Sequence, residues 1–398
     1  MKEIGSDFLV VGAGIVGLSV ARALKEKFSD ASITVIDKEP AVAMHSSGRN
    51  SGVIHAGFYY TADSLKAKFT REGNKELTEF CESRGIKINK CGKVVVTKDE
   101  DELERLFELK KRGDLNGVPL KVIDEKELAE IEPNAKTFEY ALWSPITSTV
   151  NPTEVCKKIE EELSSQGVKF FFNTPYEEKL SSSKIRAGAK TFSFGKLINA
   201  AGLYADKIAK DFGFSENYVI IPFKGIYLEY TGNDFPIRTN IYPVPDLKNP
   251  FLGVHYTVKV DGKIKIGPTA IPAFWRENYN GFENFSLKEL VQIVFWESRL
   301  FISDSFGFRG LALREIKKYS KKYLQKLAKY MVKEIDVKKF SKWGKPGIRA
   351  QLLNVKTKEL VMDFVVEGDD KSVHILNAVS PAFTASFPFT RWVVENFV

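Results

Sequence analysis

Residues 7–24 read DFLVVGAGIVGLSVARAL, with glycines at 12, 14 and 17 between an apolar run and a proline-free stretch of helical spacing. Phe8–Val11 suits a strand buried on both faces, Ile15–Lys27 a helix, and Ile33–Ile36 a second strand that ends at Asp37. Strand, tight glycine turn, helix and parallel strand in this order predict the opening of a doubly wound sheet. The three glycines serve different needs. Gly12 allows the turn, Gly14 lets a pyrophosphate approach the backbone, and Gly17 lets the helix lie close to its strand. The N–H groups of the helix start then face phosphates, and Asp37, twenty residues past Gly17, is placed to accept from an adenosine ribose. A bound dinucleotide follows, although this unit alone does not choose between NAD and FAD. The segment KLINAAG (Lys196–Gly202) reads as a further strand ending in small residues, where a second backbone segment can approach the same cofactor.

Elsewhere the texture differs. Ser64–Arg84 and Asp101–Arg112 read as amphipathic helices, the latter ended by Gly113. Asp124 with Glu127 forms a capping-box pattern, and Asn151-Pro152 opens a helix closed by Gly167. From Val219 onward, long aromatic-rich runs predict antiparallel sheet, with Asp261-Gly262 as a type I′ hairpin turn. Helices are expected over Ser286–Ser303 and Ser320–Ile335, and an apolar helix from about Phe383 to Phe397. The expected architecture is α/β: a discontinuous, Rossmann-like doubly wound FAD-binding domain (1–85, 145–217 and 345–398) with an inserted α+β antiparallel-sheet substrate domain (86–144 and 218–344).

Composition narrows the function. With 398 residues, 43% hydrophobic and 28% charged, the chain is globular rather than disordered. Cys81, Cys91 and Cys156 form no CxxC pair, which argues against a disulfide scaffold or zinc ribbon. The net charge of +8 is spread through alternating Lys and Glu rather than blocked, so no nucleic-acid partner is expected. No histidine pair has ligand spacing, so no metal site is expected. No apolar run reaches the ~18 residues of a bilayer span, and the glycine-interrupted N-terminus with acids at 3 and 7 is not a signal peptide. The expected location is cytoplasmic, or peripheral to the inner face of the membrane if Lys-rich helices at Lys317–Lys339 meet anionic lipid.

One segment carries more specific information. HSSGRNSGVIHAGFYY (45–60) resembles the flavin-adjacent loop of the L-2-hydroxyglutarate dehydrogenase/oxidase family, within the D-amino-acid-oxidase-like group of FAD proteins. NIYPVPD (Asn240–Asp246), PFLGVHYT (Pro250–Thr257), DGKIKIGP (Asp261–Pro268), AFWREN (Ala273–Asn278), KYLQKL (Lys322–Leu327), PGIRAQ (Pro346–Gln351) and SPAFTAS (Ser380–Ser386) continue the resemblance in family order. The chain departs from the family pattern at Arg49, Lys345–Pro346 and Phe383.

The resemblance implies FAD as cofactor and oxidation of an L-2-hydroxy acid, with L-2-hydroxyglutarate foremost, to the 2-oxo acid by hydride transfer to flavin N5. It implies His55 as base, since an imidazole takes up and releases a proton near working pH. It implies Arg349 as carboxylate anchor, since a guanidinium pairs bidentately with a carboxylate. Lys224, Tyr242, His255 and Arg276 are candidates for the rest of the substrate. For the cofactor it implies Gly12, Gly14, Gly17, Asp37 and Lys38 at the ADP half. Around the flavin it implies Ser46, Ser47, Asn50, Ser51, Gly52, Ala201, Gly202, Pro381, Ala382 and Thr384. A glycerol-3-phosphate dehydrogenase or amino-acid oxidase of the same fold, and an FAD-binding module without turnover, remain open. Oxygen and a membrane quinone are both open as electron acceptor.

Overall fold

A computed structural model describes residues 3–234, 236–246 and 251–398; Pro250, the first residue of one motif above, lies outside them. By internal packing the chain forms two compact units. The first comprises Met1–Asn50, Pro152–Pro222 and Arg349–Val398, the second Ser51–Asn151 and Phe223–Ile348.

The first unit is built on a parallel sheet. Glu3–Val11 lies between Ile33–Ile36 and Lys190–Asn199, with Val10 opposite both Val35 and Ile198. Lys169–Phe171 extends the sheet beyond Ile33–Ile36, and Ser372–Ile375 extends it beyond Lys190–Asn199. Leu9, Val10, Leu197 and Ile198 are fully buried, as strands covered on both faces must be. The helices Ile15–Lys27, Pro152–Ser165 and Ala382–Phe397 supply cover, and Lys27 Nζ donates to the Val394 carbonyl at 2.9 Å.

The second unit is built on an eight-stranded sheet. In spatial order its strands are Phe340–Trp343, Leu228–Tyr230, Ile264–Gly267, His255–Val258, Asn240–Pro243, Lys93–Val96, Tyr140–Ser144 and Lys121–Asp124. All neighbours run antiparallel except Lys93–Val96 beside Asn240–Pro243. That parallel pair joins segments nearly 150 residues apart, with Lys93 opposite Asn240 and Val95 opposite Tyr242. The two faces differ in chemistry. Val94, Val96, Ile241, Tyr256, Ile264 and Ile266 point into an apolar core that includes Leu324 and Ala328 of the helix Lys321–Lys329. By strict strand alternation the opposite face carries Lys93, Val95, Tyr242, His255, Thr257 and Lys265.

Several boundaries differ from the sequence expectation. Residues 51–85 pack with the second unit, because Val53–Ile54 and Ile88–Asn89 both pair with Ser148–Val150. Gly113 does not end its helix, which runs Glu100–Leu115; instead a Cβ at 113 would strike the Leu120 side chain, so this glycine serves close packing. At Asp261-Gly262 only Gly262 has positive φ (+80°), and its N–H donates to the Lys259 carbonyl. A type I′ turn needs both central residues at positive φ, so this is the three-residue loop with glycine in the left-handed position. The capping box at Asp124 and Glu127 forms as expected.

Candidate active site

In the first unit the fingerprint glycines make a backbone cradle. Gly12 has φ of +110°, and a Cβ there would stand 2.6 Å from the Ala200 carbonyl oxygen. A Cβ on Gly17 would collide with the Gly12 carbonyl, so no side chain fits where helix meets strand. The helix starts at Gly14 without a side-chain cap and with no acid in its first turn, leaving its positive end suited to an anion. Ser47 Oγ accepts from Ile15 N at 2.9 Å, and Asp37 Oδ2 accepts from Ala13 N at 2.6 Å. Burial raises the Asp37 carboxyl above its ordinary range, against the pull of the Ala13 and Glu39 N–H groups. The Asp37 carboxylate therefore braces the glycine turn as well as standing where a ribose is expected.

The neighbouring loop is fixed by its own bonds. Ser46 and Ser47 form a short turn, and Asn50 Nδ2 donates to the Ser47 carbonyl at 2.7 Å. Lys38 pairs with Glu39 at 2.8 Å, and Glu39 also meets His45 Nε2 at 2.8 Å. Ala201 lies against the Gly12 turn, and Gly202 (φ +54°) has open space where its Cβ would be. Pro381, Ala382 and Thr384 are buried at the start of the last helix, and Phe383 is half-buried. Arg349 is half-buried on the strand Gly347–Asn354. His374 is a core histidine: Asn199 Nδ2 donates to its Nδ1, and its Nε2 meets Ser372 Oγ at 3.0 Å.

In the second unit His55 follows the strand Val53–Ile54. Its loop is held by three side chains. Asn74 Nδ2 donates to the His55 carbonyl at 3.1 Å, Asn116 Nδ2 donates to the Gly57 and Tyr60 carbonyls, and Arg112 Nη1 donates to the Tyr59 carbonyl. Gly57 turns the chain at φ +99°. Ser51 Oγ accepts from Val53 N, and the Gly52 carbonyl accepts from Val150 N. Desolvation, with the charge of Lys93 added, pushes the His55 imidazole down to about 3. Titration near working pH, expected from the bare residue, is thus not its state in this structure: His55 is held neutral, and it becomes an effective base only where an anion offsets its desolvation and the Lys93 charge.

Tyr242 and His255 stack at 3.7 Å between centroids, and His255 Nδ1 donates to the Gly253 carbonyl at 2.8 Å. Lys224 is buried and pushed down to about 8 by desolvation. Arg276 is fully buried, and its backbone N–H donates to Glu289 Oε2 at 3.1 Å. Sequence reasoning missed Lys93. Its Nζ is buried without a hydrogen-bond partner and lies 4.5–4.8 Å from the ring centroids of Phe58, Tyr59 and Tyr242. The signal was its phase: Lys93 shares a strand face with inward-pointing Val95.

Residues 7–395 match the family described as FAD dependent oxidoreductase. The chain belongs to that family. It is 35% identical to the mitochondrial L-2-hydroxyglutarate dehydrogenase of Mus musculus, over 97% of this chain and 87% of the relative. It is 33% identical to the L-2-hydroxyglutarate dehydrogenase of Escherichia coli K12, over 98% and 92%. Among solved structures it resembles the L-alpha-glycerophosphate oxidase of Mycoplasma pneumoniae with FAD bound, with a TM-score of 0.77, 22% identity and coverage of 99% and 94%. The L-proline dehydrogenase of P. horikoshii shares the fold at a TM-score of 0.69, 15% identity and coverage of 99% and 94%.

The protein is therefore an FAD-dependent oxidoreductase. The residues fit that cofactor: the Gly12 and Gly17 contacts leave no room for side chains, the N-cap residue Gly14 has no side chain to cap the helix, and Gly202 opens onto space. Gly12, Gly14, Ser47, Asp37, Ala201 and Gly202 are the groups of the first unit that would hold it.

Proposed function

We propose that the protein oxidises an L-2-hydroxy acid, with L-2-hydroxyglutarate preferred, to the 2-oxo acid. FAD, when bound, supplies the acceptor for the hydride that leaves C2. The observation carrying the reading is His55: a neutral imidazole, fixed by a thrice-anchored loop, beside a face that presents cations rather than carboxylates. His55 accepts the hydroxyl proton as the C2–H bond breaks, and Arg349 holds the C1 carboxylate through its guanidinium fork. Relatives named for L-2-hydroxyglutarate align over almost the whole chain at 33–35% identity, whereas the glycerophosphate oxidase is 22% identical. The test is anaerobic mixing of the FAD-loaded protein with L-2-hydroxyglutarate, glycerol-3-phosphate and L-proline. Bleaching by the hydroxy acid alone supports the reading. Bleaching by another donor substitutes that activity, and an inert flavin leaves a binding module.

A second observation favours contact with a membrane surface. The helices Leu287–Ser303 and Phe308–Ile316 expose Leu287 (65%), Val291 (63%), Phe295 (52%), Ile302 (77%) and Leu313 (52%). Exposed Lys288, Arg299, Arg309, Arg314 and Lys317 lie among them, so an anionic bilayer interface complements both the apolar and the charged groups. Among the described residues no helix is long and apolar enough to cross a membrane. A peripheral site of this kind suits a lipid-phase quinone as acceptor. Co-sedimentation with vesicles containing anionic lipid, but not with neutral ones, tests it.

A further inference from the structure

On the polar face of the second unit's sheet, the Lys93 side chain is fully buried and its ammonium has no hydrogen-bond partner. The Tyr59 hydroxyl, whose ring flanks that ammonium, is also buried and unpartnered, and the buried Tyr242 hydroxyl, whose ring flanks it as well, meets only the Thr257 hydroxyl. A buried polar group without its full partners is costly and an unpaired charge more so, so three such groups together need an explanation. All three can donate. An ammonium cannot accept, and the two phenols stay protonated because burial raises both hydroxyls above their ordinary range. Burial alone pushes Lys93 down to about 7, so no carboxylate among the described residues offsets its desolvation. Aromatic faces stabilise a cation but accept no strong hydrogen bond, so the rings of Phe58, Tyr59 and Tyr242 leave the need unmet. What completes a cluster of donors is an anion with several acceptor atoms.

We infer that Lys93, with Tyr59 and Tyr242, forms the receptor for a second carboxylate, and so sets a preference for dicarboxylic over monocarboxylic substrates. The inference rests on the hydroxy-acid reading and deepens it: Lys93 is assigned the carboxylate distal to the reacting carbon. A carboxylate accepts from the ammonium and from both phenols, engaging the three donors in charge-assisted bonds. Lys93 is the specificity determinant here and Tyr242 a supporting donor. His255, stacked on Tyr242, holds that ring in place.

The experiment uses the FAD-loaded full chain and two unreactive probes of equal length, glutarate and pentanoate, with binding read from the flavin spectrum. Lys93→Met removes the charge at similar volume. It is expected to weaken glutarate at least 50-fold and pentanoate less than threefold. Because it also removes an unpaired buried charge, Tm should hold or rise. Tyr242→Phe should weaken glutarate three- to tenfold, and it keeps the inference testable if Lys93→Met does not fold. Equal weakening of both probes, or unchanged glutarate binding, would overturn the assignment. If no 2-hydroxy acid reduces the wild-type flavin, the proposed function fails separately. Selective loss of glutarate in Lys93→Met would then still support the receptor.

Discussion

The glycine cradle of the first unit is half-buried and the polar sheet face of the second is buried, and they meet the cost of burial in opposite ways. Around the cradle, side chains satisfy the backbone: Asp37 accepts from Ala13 and Glu39, and Ser47 accepts from Ile15. At the sheet face, Lys93 Nζ and, from the neighbouring loop, Tyr59 Oη are left without partners, and Tyr242 Oη has only the Thr257 hydroxyl beside it. The cradle is built from shape, the absence of Cβ atoms, and suits a cofactor held permanently. The sheet face is built from unmet polar groups and suits a ligand that comes and goes. Buried donors gathered on one sheet face are groups that an anionic ligand would satisfy.

The largest effect expected is at His55. His55→Asn should retain FAD yet slow anaerobic flavin reduction by ~10²–10⁴-fold in stopped flow, since the proton acceptor is gone and the cradle is untouched. Arg349→Lys should raise KM for the hydroxy acid by about 10–100-fold, because one point charge replaces a bidentate fork. Unchanged KM in steady-state assays would remove Arg349 from the role. Gly17→Ala sharpens the contrast from the other side. It should cost about 1–3 kcal/mol and release FAD, read as a lower Tm and a colourless fraction, with no change in substrate selectivity in what remains loaded.

The second unit also carries two groups whose burial makes stability depend on pH. His55 is neutral in the folded protein, with its pKa lowered to about 3. The unfolded chain, at an ordinary value near 6.5, takes up a proton that the native state refuses. Its contribution to stability is therefore present above pH 6.5 and is lost as pH falls from there toward about 3. His55→Gln should flatten that limb in a pH series of Tm. Lys93 acts in the same direction at higher pH: stability rises between about 7 and the ordinary lysine value, and Lys93→Met should abolish the slope. The smallest effect expected is at the exposed helices, where Ile302→Asp should change stability by about 0.5 kcal/mol or less while reducing binding to anionic vesicles.

Legibility in the sequence follows the same division. The cradle was readable because its requirements are local: glycines, flanking apolar runs and the acid at 37 all fall within one continuous segment. The sheet face was only partly readable. His55, Tyr242 and His255 stand in segments whose resemblance to a family drew attention to them. Lys93 stands in KVVV, which reads as the start of an ordinary strand. Its burial depends on the parallel pairing with Asn240–Pro243, a long-range contact that no local pattern encodes. The placement of residues 51–85 was misread for a like reason, since Ser148–Val150 decides it from far along the chain. The hairpin at Asp261 went astray locally: one residue more in the loop changes the turn class although the Asp-Gly pair is unchanged.

The most direct measurement is anaerobic titration of the FAD-loaded protein with L- and D-2-hydroxyglutarate, followed by flavin absorbance. The account predicts full bleaching by the L enantiomer at one equivalent per flavin, with the 2-oxo acid as product and no bleaching by the D form. An oxidised flavin after excess L-2-hydroxyglutarate, in a protein that has taken up FAD, would contradict it.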